Sequence, residues 1–404
     1  MRFADRTGLM EPTAIRKLMP FAAEARRSGV KVYSLNIGQP DVRTPRVFFD
    51  AIGNFARRTE VLEYGASKGD PELIAEIVRY YNARNMPFTG DDVIVSSGGN
   101  EALYFCFLTL LGPGDEILIP EPFYANYKTF AAASGGTIVP IPTAAEDGYR
   151  LPPPDSIESL VTPRTRAILI NNPGNPTGTV FSPDEIRGVA RIALKRDLFI
   201  VADEVYREFV YDGAECMSFG ELEEIRDRLV IVDSISKRFS ACGARIGCVV
   251  SKNHEFLAHF MKFCQGRGSS PTMEQVGGAA LYRSVDEGYF QSVREEYALR
   301  RDVLHGALSG IPGVVCRKPG GAFYILAKLP VDDAETFATW AIRDFRFNGA
   351  SVLVAPAYGF YATPGRGLDE VRVAYVLERK ELEDAAIVLA EAVKAYPGGR
   401  GSRI

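Results

Sequence analysis

Residues 91–120 read DDVIVSSGGNEALYFCFLTLLGPGDEILIP, and this stretch sets the pattern of the chain up to about residue 250. A short apolar run, VIV, is followed by the longer helical stretch GNEALYFCFLTLL and then by a second apolar run, EILIP. The alternation continues through AILI, FIVAD and LVIVD, which lack the polar alternation of a half-exposed strand. Such runs are typical of strands buried on both faces, so the pattern predicts an α/β fold with a mainly parallel sheet covered by helices on both faces.

The texture of the sequence changes beyond about residue 285. A long charged helical stretch is followed by VVCRKPGGAFYILAKLP, SVLVAPAY and VRVAYV, and then by a final amphipathic helix. We therefore expect a large domain over residues 46–285 and a smaller α+β domain over residues 286–404. The N-terminal segment, residues 1–45, is expected to pack with the small domain, which would make that domain discontinuous. This last placement rests on the family resemblance given below.

The composition is that of an ordinary globular protein, with 404 residues, 46% hydrophobic, 24% charged and a net charge of −4. No Lys/Arg-rich run is present, so neither nucleic acid nor an acidic membrane is an expected partner. The six cysteines are scattered without a CxxC pair and there are three histidines, so we predict no metal site. With no apolar stretch of signal-peptide or membrane-spanning length, we expect reduced thiols and a cytoplasmic location.

Lys237 is the most informative residue of the chain. It directly follows an apolar strand and lies among small and hydroxyl residues in SISKRFSACGARIG, residues 234–247. Most lysines are solvated surface charges, but burial at a strand end disfavours the ammonium form and lowers the pKa. A neutral amine is what a lysine needs in order to form a Schiff base with an aldehyde, so Lys237 is a candidate nucleophile.

Asp203 ends the apolar run LFIVAD and precedes Lys237 by 34 positions, about one crossover unit. Both residues can therefore lie at the same carboxyl edge of one sheet. An aspartate at a strand end can simply cap the next helix. Alternatively, an ionised aspartate facing a ring nitrogen keeps that nitrogen protonated, as in pyridoxal phosphate enzymes.

The segment SSGGNEAL, residues 96–103, is a strand end that leads into a helix. The backbone N–H groups of Gly99, Asn100 and Glu101 would then lie at the positive end of the helix dipole. Such a position binds phosphate groups. A glycine pair before a helix is by itself often only a tight turn, so this segment gains weight only together with the other motifs.

Taken in order, these segments resemble the aspartate aminotransferase superfamily, the class I/II aminotransferases of pyridoxal phosphate fold type I. The resemblance runs through SLNIGQPDVRTP, YGASKGDPELIAEIVRYY, SSGGNEAL, NNPGNPTG, ADEVY, SISKRFSACGARIG, GGAFY and VRVAYV. It implies a pyridoxal 5'-phosphate-dependent enzyme that moves the amino group of an α-amino acid to a 2-oxo acid. It also implies a homodimer with shared active sites.

The resemblance implies a role for each matching residue. Residues acting on the cofactor ring are Lys237 as its covalent anchor, Asp203 at the pyridine nitrogen, Tyr206 and Asn175 at the phenolic oxygen, and Tyr124 stacked on the ring face. Residues acting on the phosphate are Ser234, Ser236 and Arg245, the N–H groups of Gly99, Asn100 and Glu101, and Tyr64 from the neighbouring subunit. Arg372 would bind the substrate α-carboxylate in a forked contact, next to the backbone of Gly38.

The amino acid used by the enzyme is less clearly indicated. Arg267 lies between two glycines in CQGRGSSPTMEQ, about two residues from where one branch of the family supplies an arginine across the dimer interface. That arginine binds a distal carboxylate, which would favour aspartate and glutamate. The alternative is a solvent-facing loop arginine in an aromatic or broad-range aminotransferase, with Tyr33, Tyr124 and Tyr358 lining an apolar pocket.

Two other classes of protein share this fold. The β- or γ-eliminating C–S lyases and the aminocyclopropane-type synthases would use the same Lys237, Asp203 and Arg245. Transcription regulators with an aminotransferase-like sensor domain carry a DNA-binding domain before it. Here the motifs begin at about Ser34, and we expect the 33 residues ahead of it to be too few for such a domain.

Overall fold

The computed structural model describes residues 2–10 and 14–399. The strands are β1 (Lys31–Ser34), β2 (Val93–Ser96), β3 (Glu116–Glu121), β4 (Thr137–Pro142), β5 (Thr165–Asn171), β6 (Phe199–Asp203), β7 (Leu229–Ser234), β8 (Gly247–Val250), β9 (Tyr324–Lys328), β10 (Ala350–Leu353), β11 (Ala355–Pro356) and β12 (Glu370–Ala374). The α-helices are α1 (Ala14–Lys17), α2 (Met19–Arg27), α3 (Arg46–Arg58), α4 (Pro71–Asn82), α5 (Gly99–Leu110), α6 (Asn126–Ser134), α7 (Pro154–Glu158), α8 (Pro183–Arg196), α9 (Ile235–Arg238), α10 (His254–Arg267), α11 (Thr272–Ser284), α12 (Glu287–Ser309), α13 (Ala334–Arg343) and α14 (Arg379–Ala395).

Seven strands form the large sheet, in the order β2-β8-β7-β6-β5-β3-β4. Strand β8 is antiparallel to both of its neighbours, and all other pairs in this sheet are parallel. Helices α5, α6 and α10 pack on one face, and α4, α8 and α11 pack on the other. The predicted α/β fold with a mainly parallel sheet between helices is therefore confirmed.

The strands of the large sheet are buried according to their place in it. In β7 every residue is buried, and Val230 and Val232 face one core while Leu229 and Ile231 face the other. Strand β4 is only partly buried because it lies at the edge and pairs with β3 alone. The continuous apolar runs thus mark the central strands, as expected for a covered parallel sheet.

The smaller sheets lie in a third core with α2, α12, α13 and α14. One is the antiparallel sheet β11-β12-β9, and the other pairs β1 in parallel with β10. The pairing of β1 with β10 joins the N-terminal segment to the C-terminal part. We propose the domain division at residues 45 and 285 because most of the buried residues of this third core come from the N-terminal segment and from residues after 285.

The carboxyl ends of three adjacent strands position the polar residues of the large sheet. Asn171 ends β5, Asp203 ends β6 and Ser234 ends β7, with Asn171 paired to Asp203 in the register. Helix α5 begins next to them at Gly99, after Gly98 with a φ of 89°. Parallel pairing places all these ends at one edge, so the residues meet there without being close in the sequence.

Candidate active site

A cavity of about 510 Å³ lies at this edge, between the large sheet and the smaller sheets. Most of the predicted site residues line it: Gly38, Gly99, Asn100, Tyr124, Asn175, Asp203, Tyr206, Ser234, Ser236, Lys237, Arg245 and Arg372. Glu101, Tyr64 and Arg267 are not among the residues that line it. A large pocket with converging polar groups at the carboxyl edge of an α/β sheet is the expected place for a ligand.

Lys237 projects into the cavity from α9, the short helix that directly follows β7. This turn is fixed by Ser234, whose hydroxyl accepts a hydrogen bond from the Ser236 N–H at 3.0 Å. The Lys237 Nζ donates to the Gly38 carbonyl oxygen at 3.0 Å and lies 3.8 Å from Cys242 Sγ. The amine is half-buried and has a neutral acceptor as its partner, so it is free to react with a ligand in the cavity.

Asp203 is 3% exposed, and its carboxylate accepts hydrogen bonds from Tyr127 Oη at 2.6 Å and from the Val205 N–H at 3.4 Å. Burial raises the pKa of Asp203 to about 6, although the hydrogen bond from Tyr127 acts in the opposite direction. No described cation forms an ion pair with it. A buried carboxyl group with a perturbed pKa in a cleft is typical of functional sites.

Hydrogen-bond donors lie together where α5 begins, at one corner of the cavity. The first N–H groups of a helix have no acceptor within it, and a Cβ at Gly98 would overlap Arg245 Nη2. Among the described residues, Arg245 donates to the carbonyl oxygens of Cys242 and Ser97, at 3.0 and 3.4 Å. The buried hydroxyls of Ser234 and Ser236 are 2.8 Å apart at the same corner. These donors are those expected of a phosphate site.

Arg372 lies in β12 at the other end of the cavity and is 4% exposed. Its Nη1 donates to Asn175 Oδ1 at 3.0 Å and its Nη2 to the Asn36 carbonyl oxygen at 2.6 Å. Its Nε is buried without a hydrogen-bond partner among the described residues. A buried guanidinium with neutral partners only can accept a carboxylate from a ligand.

Tyr206 lies between these two ends and is buried. Its hydroxyl is 2.9 Å from Tyr324 Oη and accepts a hydrogen bond from Asn175 Nδ2 at 3.5 Å. Burial raises the pKa of Tyr206 well above its usual value, so the phenol stays protonated and can donate a hydrogen bond.

Three predicted residues lie elsewhere. Tyr64, between α3 and α4, is 98% exposed. Arg267 is the last residue of α10 rather than part of a mobile loop, and it contacts Ser97 Oγ at 3.4 Å and Glu101 Oε1 at 3.6 Å. The Glu101 N–H donates to the Gly98 carbonyl oxygen at 3.2 Å, within the helix. Their predicted roles remain predictions.

The expectation that Tyr33 and Tyr358 line an apolar pocket is wrong for the cavity of this chain. The Tyr33 hydroxyl points to Asp384 Oδ2 at 3.5 Å, because β1 lies beside α14 at the far side of the small core. The Tyr358 hydroxyl accepts a hydrogen bond from Lys17 Nζ at 2.9 Å. Of the three tyrosines, Tyr124 alone lines the cavity.

The sequence reasoning missed three residues at the site. Tyr127, the partner of Asp203, lies near the start of α6, three positions after Tyr124 in EPFYANY, so its closeness to Tyr124 in the sequence was the available signal. Tyr324 belongs to GGAFY, one of the segments that carry the family resemblance, but the resemblance implied no role for it. Arg16 lines the cavity from α1 and is exposed, and no sequence signal pointed to it.

The sheet topology and the cavity at its carboxyl edge are those of an α/β enzyme with its ligand site at the ends of the parallel strands. Residues 30–389 match the family model of aminotransferase class I and II, and the chain belongs to this family. The relatives named below are aminotransferases, so the chain is an aminotransferase, and the alternatives of a lyase or a sensor are not favoured.

Three similar proteins cover nearly the whole chain. A probable aspartate/prephenate aminotransferase of Thermus aquaticus is 31% identical over 395 residues, 97% of this chain and 99% of that protein. Aromatic-amino-acid aminotransferase 2 of Thermococcus litoralis is 31% identical over 411 residues, 98% of this chain and 99% of that protein. A solved structure of Thermus thermophilus aspartate aminotransferase with maleate superposes with a TM-score of 0.88 at 28% identity, covering 97% and 100% of the two chains.

Proposed function

We propose that the cavity binds pyridoxal 5'-phosphate and that Lys237, Asp203 and Tyr206 act on it in amino-group transfer. One observation carries the proposal: the charged side chains that line the cavity form no ion pair with any described residue. They are Arg16, Asp203, Lys237, Arg245 and Arg372. Asp203 and Arg372 are buried there without a counter-charge, which is costly, so a ligand that carries both signs is expected.

The charges of the cofactor and substrate complement this set. A phosphate group would accept hydrogen bonds from Arg245, from the hydroxyls of Ser234 and Ser236, and from the N–H groups at the start of α5. A protonated pyridine nitrogen would donate a hydrogen bond to Asp203, whose raised pKa reflects a buried carboxyl group without a cation. Tyr206 and Asn175 would hold the phenolic oxygen, and Tyr124 would cover the ring.

Each of these residues then has a separate role in the reaction. When bound, pyridoxal phosphate supplies a reactive aldehyde and a sink for the electrons of the substrate Cα–H bond. Lys237 Nζ anchors the cofactor and, once displaced by the amino acid, takes the proton from the substrate Cα. Arg372 holds the α-carboxylate, next to the Gly38 backbone, and so fixes the orientation of that bond. A second half-reaction returns the amino group to a 2-oxo acid.

Covalent trapping tests the proposal. Protein incubated with pyridoxal phosphate, reduced with borohydride and digested should carry one cofactor per chain on the peptide of Lys237. Lys237→Ala should carry none, whereas Lys262→Ala, at an exposed lysine on α10, should be labelled normally. Label on another lysine, or no bound cofactor, would reject the assignment. With 2-oxoglutarate as acceptor, an amino donor should yield glutamate, whereas a lyase would release ammonia or a thiol without any acceptor.

We further propose aspartate or glutamate as the preferred donor. The names of the Thermus relatives and the maleate in one solved structure support an acidic substrate. Arg16 is a cation on the cavity wall that a distal carboxylate could reach, whereas Arg267 is engaged with Ser97 and Glu101 outside the cavity of its own chain. The Thermococcus relative supports the alternative of an aromatic or broad-range enzyme. Rates with aspartate, phenylalanine, alanine and methionine distinguish the two.

A homodimer with shared sites is the proposed assembly. Tyr64 is 98% exposed, and Val61 and Leu62 beside it are 71% and 58% exposed, so this segment presents apolar groups to a partner. Mixing Tyr64→Ala with Lys237→Ala under conditions that exchange subunits should restore activity, because one site of each mixed dimer carries neither change. No recovery despite demonstrated exchange would show that each site is built from one chain.

We also propose a cytoplasmic location. The six cysteines are all free, and burial raises the pKa of the Cys106 and Cys248 thiols, which keeps them unreactive. Unpaired thiols are typical of a reducing compartment. Within residues 2–10 and 14–399, no helix is both long and apolar enough to span a bilayer. Fractionation of cells that express the protein, followed by immunoblotting, tests the location.

A further inference from the structure

Tyr324 lies in the cavity between Tyr206 and Arg372. It is the first residue of β9, and its side chain is 2% exposed and lines the cavity. Its hydroxyl is 2.9 Å from Tyr206 Oη, and its ring lies 4.5 Å from the Arg372 guanidinium carbon. One side chain of the small core thus contacts both the tyrosine proposed for the cofactor and the arginine proposed for the substrate.

Gly38 allows the Tyr324 hydroxyl to reach this place. A Cβ at Gly38 would overlap Tyr324 Oη and the adjoining ring carbons, so any larger residue would displace the ring. The resemblance explains Gly38 by the approach of the substrate to the backbone. The structure adds a second reason, because the glycine leaves the space that the tyrosine hydroxyl occupies.

The direction of the hydrogen bond between the two tyrosines follows from the task of Tyr206. A phenol that donates its own proton to a ligand oxygen can only accept from a neighbouring hydroxyl. Tyr324 must then be the donor to Tyr206. Because hydrogen bonds in a chain polarise one another, a phenol that accepts such a bond becomes a stronger donor.

We propose that Tyr324 is a positioning residue of this site, whose hydroxyl donates to Tyr206 and so presents the Tyr206 O–H to the phenolic oxygen of the cofactor. Its ring supports the Arg372 guanidinium independently of the hydroxyl. The inference rests on the proposed function. The charged or titratable groups around the pair are Arg372, Asp203, Lys237 and Tyr124.

Tyr324→Phe tests the proposal because it keeps the ring under Arg372 and removes the hydroxyl alone. A weaker donor from Tyr206 would stabilise negative charge on the phenolic oxygen less, so the bound cofactor would lose its titrating proton at a higher pH. We expect the variant to retain the cofactor, and the pH midpoint of its visible absorption band to rise by about 0.5 to 1 unit. The turnover number should fall about three- to tenfold, while KM for the donor stays within about twofold because Arg372 keeps its support.

Two comparisons make the result specific. Tyr375→Phe removes another fully buried hydroxyl of the same core, which donates to the Ala322 carbonyl oxygen at 3.2 Å, and should leave the midpoint unchanged. In a Tyr206→Phe background the substitution at Tyr324 should have no further effect on the midpoint. An unchanged midpoint in Tyr324→Phe, or a shift that persists without the Tyr206 hydroxyl, would overturn the inference alone. Absence of a cofactor band in the wild-type protein would overturn the proposed function as well.

Discussion

Asp233 and Ser234 are neighbours in β7, yet their side chains lie on opposite faces of the large sheet. Ser234 faces the cavity, and Lys237 follows it in α9. Asp233 faces the other core, where it contacts Arg238 Nη2 at 2.5 Å and accepts a hydrogen bond from Tyr81 Oη at 2.9 Å. Both partners of this ion pair are completely buried. We call the buried group around the pair the rear cluster: Asp233, Arg238, Glu208, Tyr80, Tyr81 and Tyr282.

The two groups contain similar residue types and differ in their pairing. In the rear cluster Glu208 lies 3.1 Å from Arg84 and 3.7 Å from Arg294, and the Arg238 guanidinium carbon lies 4.2 Å from the centre of the Tyr80 ring. Each carboxylate there contacts a cation. In the cavity, no charged side chain forms an ion pair with a described residue. The rear cluster is therefore complete without a ligand, whereas the cavity is completed by what it binds.

Removing one partner of the rear ion pair should have the largest effect on stability. Arg238→Met leaves the Asp233 carboxylate buried without a cation, which should lower the free energy of unfolding by about 3 to 5 kcal/mol. Urea titration measures the loss. The turnover of the remaining folded, cofactor-loaded protein should stay within about twofold of wild type, since the substituted side chain does not reach the cavity.

An exposed arginine is the matched control for this change. Arg187 on α8 pairs with Asp184 and is half exposed, so Arg187→Met should cost about 0.5 kcal/mol or less. A loss below about 1 kcal/mol in Arg238→Met would contradict the structural role of the rear cluster. A neutral pair in Asp233→Asn with Arg238→Met should recover part of the loss, because the uncompensated charge is then gone.

Asp203→Asn should have opposite effects on activity and on the stability of the cofactor-free protein. Turnover should fall by about 100-fold or more, because asparagine cannot hold the ring nitrogen protonated. Without cofactor, the native pKa of Asp203 is raised to about 6, so its carboxyl group favours folding below about pH 4 and loses that advantage as the pH rises through 6. Asparagine does not titrate, and the variant should gain up to about 3 kcal/mol at pH 8.

Urea unfolding of the cofactor-free wild type and Asp203→Asn at pH 4 and pH 8 measures this difference. The gain of the variant should appear at pH 8 and vanish at pH 4. An equal difference between the two proteins at both pH values would mean that another group in the cavity compensates the charge of Asp203. The contrast between the cavity and the rear cluster would then fail for Asp203, the most buried charged residue of the cavity.

Much of the cavity could be predicted from the sequence because its residues stand at the ends of apolar runs. Parallel pairing brings such ends to one edge whatever their separation in the chain, so Asp203 and Lys237 could be placed together. The start of α5 at Gly99 could also be predicted, since a glycine pair after a strand and before a helical pattern marks that boundary. These inferences needed no knowledge of how the core of the smaller sheets packs against the large sheet.

The residues that were missed depend on that packing. Tyr324 reaches Tyr206 from the small core, across 118 positions of sequence, and no local pattern encodes this contact. Arg16 enters the cavity from a four-residue helix whose position is set by tertiary contacts. The alternative interpretation of Arg267 as a loop arginine does not allow for the helix: α10 continues through Gly266 to Arg267, since one helical glycine costs only about 1 kcal/mol.

The smallest expected effect concerns Arg16. It is an unpaired arginine of the cavity, whereas Arg238 is the paired arginine of the rear cluster. Arg16 is exposed and has no hydrogen bond or ion pair with any described residue, so Arg16→Gln should leave the free energy of unfolding unchanged. If Arg16 binds the distal carboxylate, kcat/KM for aspartate should fall about tenfold while that for alanine changes less than about twofold. Lys17→Gln removes the same charge one residue later, where Lys17 contacts Tyr358 and Glu335, and should not alter the aspartate to alanine ratio. Equal rates for aspartate in wild type and Arg16→Gln, with a fall in Arg267→Gln instead, would return the specificity role to Arg267 of the partner subunit.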